Sequence, residues 1–112
     1  MVSSYKAILL VKAMLEDYPD YVITGYLMDV YINSYCASGH IYKSASYRNG
    51  ALILSEEIRK VVEFEHRYLI ETVDGERFLL VNFHSCGGRQ SLKFLLEIFT
   101  SGGLAGSRYC MQ

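Results

Sequence analysis

A chain of 112 residues, 51% hydrophobic with ten tyrosines and one proline, has the composition of a single folded domain and excludes disorder. Eleven basic and twelve acidic residues leave a formal charge of −1, which excludes the basic excess needed to hold duplex nucleic acid or an anionic membrane surface. Cys36, Cys86 and Cys110 form an odd set with no secretory leader, which reads as reduced thiols in the cytoplasm. Every apolar run is shorter than the roughly 18 residues a spanning helix needs, so no membrane partner is expected.

Residues 3–17 predict a helix: Ile8, Val11 and Leu15 recur at helical spacing, Ser3 or Ser4 stands at the cap, and Pro19 turns Tyr18 away from helical geometry. Residues 21–35 are rich in Tyr, Val and Ile and predict a strand with Gly25 as its bulge, although Leu27, Val30, Tyr31 and Ser34 also fit a helical face.

Residues 39–80 predict a β-hairpin module. Asn49-Gly50 and Asp74-Gly75 separate alternating apolar runs, and such pairs favour two-residue hairpin turns in which both central residues take positive φ. A turn of that kind at Asp74-Gly75 sets Thr72 opposite Arg77, Ile70 opposite Leu79 and Tyr68 opposite Val81. One face is then Tyr68, Ile70, Leu79 and Val81. The other carries Leu69, Phe78 and Leu80 beside Glu71 and is too apolar to face water, so a helix or a second subunit covers it.

A helix over residues 90–99 supplies a cover, with Leu92, Leu95, Leu96 and Phe99 on one face and Gly102-Gly103 as its stop. Phe94 and Ile98 form a second stripe suited to a partner. Residues 101–112 read as a flexible tail. The whole describes one α+β domain over residues 1–112, an antiparallel sheet with an N-terminal and a C-terminal helix.

No catalytic or phosphate-loop signature occurs in the chain. Cys36 with His40, and His84 with Cys86, could frame a zinc site, but their spacings match no zinc motif and buried thiols with solitary histidines account for them, so no metal or other cofactor is expected. The glutamates Glu56, Glu57, Glu63 and Glu65 read as the wet side of strands. A local bias is more telling. Between Asp29 and Glu56 no acidic residue occurs, while His40, Lys43 and Arg48 alternate with Tyr31, Tyr35, Tyr42 and Tyr47. Rings that stack on bases beside cations that hold phosphates suit a nucleotide ligand. A Tyr-rich sheet with Lys and Arg at its rim produces the same pattern.

The series Gly39, Ile41, Tyr47, Asn49-Gly50, Ile53, Ser55, Ile58, then Thr72, Asp74-Gly75, Phe78 and Leu80, resembles a motif of small phage- and prophage-encoded proteins. Those carry a G-x-V stretch, an aromatic, a D/N-G turn, an isoleucine, a T-S pair and a T-x-S-G-x-x-Y-x-L hairpin. Ser44-Ala45 replaces a His-Pro common among them, and Glu56 replaces the second residue of the T-S pair. The group is similar to phage anti-defence proteins, including the Thoeris anti-defence sponges, non-catalytic oligomers that trap a cyclic ADP-ribose signal among aromatic and arginine side chains.

The resemblance implies a cytoplasmic, non-enzymatic homo-oligomer, dimeric or higher, that sequesters a small anionic nucleotide. On that reading Tyr42 and Tyr47 stack on bases, Lys43, Arg48 and Arg67 hold phosphates, Asn49 shapes the turn, and Arg108 with Tyr109 closes over the site. Two other readings stand beside it. One is a protein inhibitor that docks a Tyr-rich surface on a host defence enzyme or nuclease complex. The other is a nucleotide-signal hydrolase with His40 or His66 as general base.

Overall fold

The computed structural model describes residues 4–101. Helix α1 (Ser4–Leu15) precedes strands β1 (Gly25–Asn33), β2 (Cys36–Tyr42), β3 (Leu52–Leu54), β4 (Ile58–Glu63), β5 (Tyr68–Thr72) and β6 (Arg77–Leu80), and helix α2 (Gly88–Ser101) follows. The fold is α+β, and of residues 21–35 the strand takes Gly25–Asn33. The expected tail and its Gly102-Gly103 stop lie outside the described residues.

In space the strands run β3-β2-β1-β6-β5-β4. Two antiparallel meanders, β1-β2-β3 and β4-β5-β6, meet along one parallel seam where Gly25, Tyr26 and Leu27 pair with Phe78, Leu79 and Leu80. The sheet is therefore antiparallel everywhere except at that seam. Thr24 fastens its start: the Thr24 N–H donates to the Arg77 carbonyl at 2.8 Å, and Thr24 Oγ1 accepts the Arg77 N–H at 2.8 Å.

Strands β3 and β4 stand at opposite ends of this order, yet only residues 55–57 join them. Such a link spans at most about 14 Å, whereas the outer strands of a flat sheet this wide lie about 24 Å apart. The sheet must curl until its edges approach. The Ser55 N–H bonded to Ala37 O at 2.8 Å and the Ile58 N–H bonded to Tyr35 O at 2.6 Å show the chain following the edge of β2 before it leaves to pair with β5.

The concave face gathers side chains from both edges of the sheet, Ile53 and Ile58 with Leu27, Ile41, Ile70 and Phe78, and Leu92 and Leu95 of α2 close it. On the convex face Leu10 and Ala13 of α1 cover Met28, Leu69, Leu79 and Val81. Tyr18 ties off the helix end by donating its hydroxyl to the Ala13 carbonyl at 2.6 Å, and burial pushes that hydroxyl up to about 12.

Three expectations are corrected. The β5–β6 register is one residue away from that of a two-residue turn: Glu71 pairs with Arg77, Ile70 with Phe78, and Tyr68 with Leu80. Gly75 has φ of 90°, but Asp74 is absent from the positive-φ residues, so the loop spans Val73, Asp74 and Gly75 and Gly75 forms the bulge. Thr72 fixes it, its N–H donating to Glu76 O at 3.0 Å and its Oγ1 accepting the Glu76 N–H at 3.1 Å. A one-residue slip exchanges faces, so Phe78 and Leu80, not Leu79 and Val81, join Tyr68 and Ile70 inside. Likewise Asn49-Gly50 closes a longer loop, residues 43–51, with positive φ at Gly50 and not at Asn49. The bulge expected at Gly25 lies instead between Met28 and Tyr31.

Glu71 is the one acidic side chain buried among the described residues, 4% exposed on the α1 side of β5, where Arg59 and Arg77 both bond its carboxylate. Burial pushes this carboxyl up, and the two guanidinium groups outweigh burial and hold it below the usual carboxylate range. A lowered folded value contributes stability that is full at neutral pH and is lost as pH falls through that value. Glu71→Gln is expected to cost about 1–3 kcal/mol at pH 7, because two half-buried guanidinium groups lose their counter-charge. The penalty should shrink toward pH 3, which urea midpoints at the two pH values measure; an equal penalty at both would refute the charge assignment.

Candidate functional site

The irregularity in β1 builds the most chemically varied surface of the molecule. Met28 pairs with His40 and Tyr31 with Ser38, so Asp29 and Val30 together oppose Gly39. Asp29 takes φ of 55°, a left-handed conformation costly for a non-glycine residue, and its surroundings hold it there. Its N–H donates to Asn82 Oδ1 at 2.8 Å, Asn82 Nδ2 donates back to its carboxylate at 3.2 Å, and the Val30 N–H donates to Asn82 O at 3.1 Å. From α1, Lys6 Nζ reaches the same carboxylate at 2.7 Å. Burial pushes the Asp29 carboxyl up, but Lys6, Asn82 and nearby His40 hold it below its ordinary value.

Two glycines permit the close approaches around this bulge. A Cβ on Gly39 would lie 2.8 Å from Met28 O, and one on Gly88 would lie 2.3 Å from Val30 O. Gly88 opens α2, so the helix can start against β1 only because that position lacks a side chain. The preceding loop is thereby drawn onto the bulge, with the His84 N–H bonded to Val30 O at 2.9 Å.

Two cavities result, and they meet at Tyr31. The first, a cleft of about 490 Å³, is lined by Asp29, Tyr31, His40, Leu52, His84 and Cys86. Tyr31 meets the His84 ring edge to face at 6.4 Å between centroids. His40 Nδ1 lies 3.0 Å from Gly50 O, and since a carbonyl only accepts, that nitrogen donates, which leaves Nε2 as the acceptor of the neutral ring. His84 is the reverse: its Nδ1 accepts the Cys86 N–H at 3.0 Å, which makes Nε2 the donor. The second cavity, a groove of about 620 Å³, runs from Tyr31 past Asn33 and Ser34 to Gln90, Ser91 and Phe94 at the amino end of α2, with no acidic residue in its lining.

The residues proposed from sequence divide into three groups. Tyr42 ends β2 half-buried against the α1-side cluster, and Lys43, Tyr47, Arg48 and Asn49 follow in the loop to β3. Asn49 Oδ1 accepts the Lys43 N–H at 2.8 Å across this loop, and Lys43 has φ of 60°. Lys43 and Ser46 line a smaller groove of about 380 Å³ with Thr24 and Glu76. Arg67 is elsewhere. It precedes β5, at the end of that strand opposite the loop, and grips Glu16 with two bonds of 2.9 and 3.1 Å. Arg108 and Tyr109 lie outside the described residues.

His66, weighed as a general base, is exposed beside the same Glu16 at 3.2 Å, far across the sheet from His40. His40, His84 and Cys86 share one cleft, yet among the described residues no group of three or more His, Cys, Asp or Glu side chains is arranged to hold a metal ion. No helix among them is long and apolar enough to cross a membrane. Asn82 and Asp29 carried no signal in sequence, because a bulge on non-glycine residues is clamped from a distant segment. Gly87 and Gly88 precede the residues expected as helix, 90–99, and nothing local to them signals the close approach to β1.

Family models, curated proteins and solved structures were each compared with this chain, and none matches. Its chemistry is accordingly read from the site alone. Gly88→Ala should destabilise the fold by about 1–3 kcal/mol, since its new Cβ meets a backbone oxygen that cannot rotate away. A lowered urea midpoint measures this, and an unchanged midpoint would mean that α2 starts elsewhere.

Proposed function

We propose that this protein binds a small nucleotide signal where the cleft and the groove meet at Tyr31, and holds it without turning it over, the role of the anti-defence sponges its motif resembles. The observation that carries this reading is the pairing of unlike cavities on either side of one half-exposed tyrosine. In the cleft, a neutral His40 offers an acceptor and His84 a donor, the complement of an amino group beside a ring nitrogen on an adenine-like base. Tyr31 offers a ring to stack on such a base, a contact of about 1–3 kcal/mol. In the groove, the amino end of α2 favours a phosphate through its aligned backbone dipoles. Ligand holding needs no proton transfer, and the pairing of donor with acceptor serves recognition directly.

This reading moves the ligand from the Lys43–Asn49 loop toward residues of the same acid-poor segment, Tyr31 and His40. The test is mass spectrometry of small molecules released by heat from protein purified out of cells with an active signalling defence. An intact nucleotide near one per chain is expected, and at least tenfold less from a Tyr31→Ala, His40→Ala variant of unchanged melting midpoint. Equal recovery from that variant would return the site to the loop of Lys43 and Arg48. Recovery of a stoichiometric host protein with no nucleotide would replace sequestration by direct inhibition.

A further inference from the structure

Asp29 is the acidic residue in the lining of the cleft, and its backbone does not require an acid. Asparagine meets a φ of 55° about as well, and glycine meets it with less strain. Nor does the clamp use up the carboxylate. Lys6 Nζ donates to Oδ2 at 2.7 Å and Asn82 Nδ2 to Oδ1 at 3.2 Å, whereas an ionised carboxyl accepts at about four positions. Burial opposes ionisation, but Lys6, Asn82 and His40 hold the carboxyl below its ordinary value, so at neutral pH it accepts hydrogen bonds and donates none. The side chain is 24% exposed, and Met28, its neighbour in the chain, pairs with His40. The wall shared by Asp29 and a neutral His40 therefore carries acceptors, and His84 Nε2 supplies a donor. The Gly50 carbonyl and the Cys86 amide fix the two ring tautomers, so neither histidine exchanges its role freely.

We infer that Asp29 is the specificity-determining residue of this site, admitting bases that present an exocyclic amino group beside a bare ring nitrogen and rejecting those that present an oxo group there. The inference rests on the nucleotide reading of the cleft. An amino group has two N–H bonds, one for the Asp29 carboxylate and one for His40 Nε2, and the adjoining ring nitrogen accepts from His84. An oxo group in the same place sets a third acceptor against the first two, and the adjoining ring nitrogen then carries a proton that meets the His84 donor. Each polar contact is mismatched at once. Such a site discriminates by repulsion and by the unpaired polar groups that the wrong base leaves on both sides. The same carboxylate repels a phosphate, which the groove on the other side of Tyr31, with no acidic residue in its lining, does not. Base and phosphate are thereby given one orientation across Tyr31.

Adenosine and inosine monophosphates differ in this pair of groups alone and serve as probes, titrated into the full chain while the histidine ring protons are followed by NMR. The adenosine nucleotide is expected to shift the rings of His40 and His84, to leave that of His66 in place, and to bind at least about tenfold tighter than the inosine nucleotide. Asp29→Asn, which suits the positive φ and keeps an oxygen for Asn82, presents an amino group of its own to the cleft. It is expected to weaken the adenosine nucleotide and strengthen the inosine nucleotide, and a gain in binding cannot come from a loss of fold. Equal binding of the two nucleotides by the parent protein, or an Asp29→Asn variant that keeps the margin between them, would overturn the inference and leave the nucleotide reading standing. If neither nucleotide shifts His40 or His84, the nucleotide reading falls and this inference falls with it.

Discussion

The short link of residues 55–57 is the constraint from which the architecture follows. Because it cannot span a flat sheet of this width, the outer strands are drawn together and the sheet acquires an inside and an outside. The inside closes on itself with α2 as its lid. The outside is convex and wide, and α1 covers only its middle, around Met28, Leu69 and Leu79. The candidate binding surface belongs to what is left over, the bulged end of β1 with its two cavities.

At the bulge, one asparagine performs the positioning. Asn82 satisfies the backbone of Asp29 and Val30 and braces the Asp29 carboxylate, so a strained residue is held without a glycine. Tyr31 follows directly, and the chain after Asn82 carries His84 to it. Tyr31 and His40 stand on paired strands, and His84 on a short loop whose backbone is bonded to the bulge, whereas Lys43, Tyr47 and Arg48 lie in the longer exposed loop between β2 and β3. Fixed groups lose little freedom when a ligand arrives, which favours tight holding.

Much of the fold was legible because it depends on local patterns. The alternation of β5 and β6 and the spacing of Leu92, Leu95 and Leu96 in α2 reflect period 2 and period 3.6, and both elements form where these predict. The register at Asp74-Gly75 was not legible, since a Thr72 side chain that captures the Glu76 amide selects a three-residue loop over a two-residue turn. Nor was the orientation of α1, whose apolar residues lie on every side and leave the choice of inner face to Ala13, small enough to approach the sheet. For the site, the acid-poor segment with Tyr31 and His40 stood out, whereas Asn82 and His84 join it only through tertiary structure.

The parallel seam has a consequence for the order in which the chain assembles. Within each meander, neighbouring strands are joined by short connections, so their pairings close small loops; the seam bonds Arg77 to Thr24 across 53 residues. Loop-closure entropy and the slow formation of non-local pairings favour the two meanders as early, separately nucleated units whose docking along β1 and β6 completes the fold. The bulge, its clamp and the cleft all lie across the boundary between the two meanders.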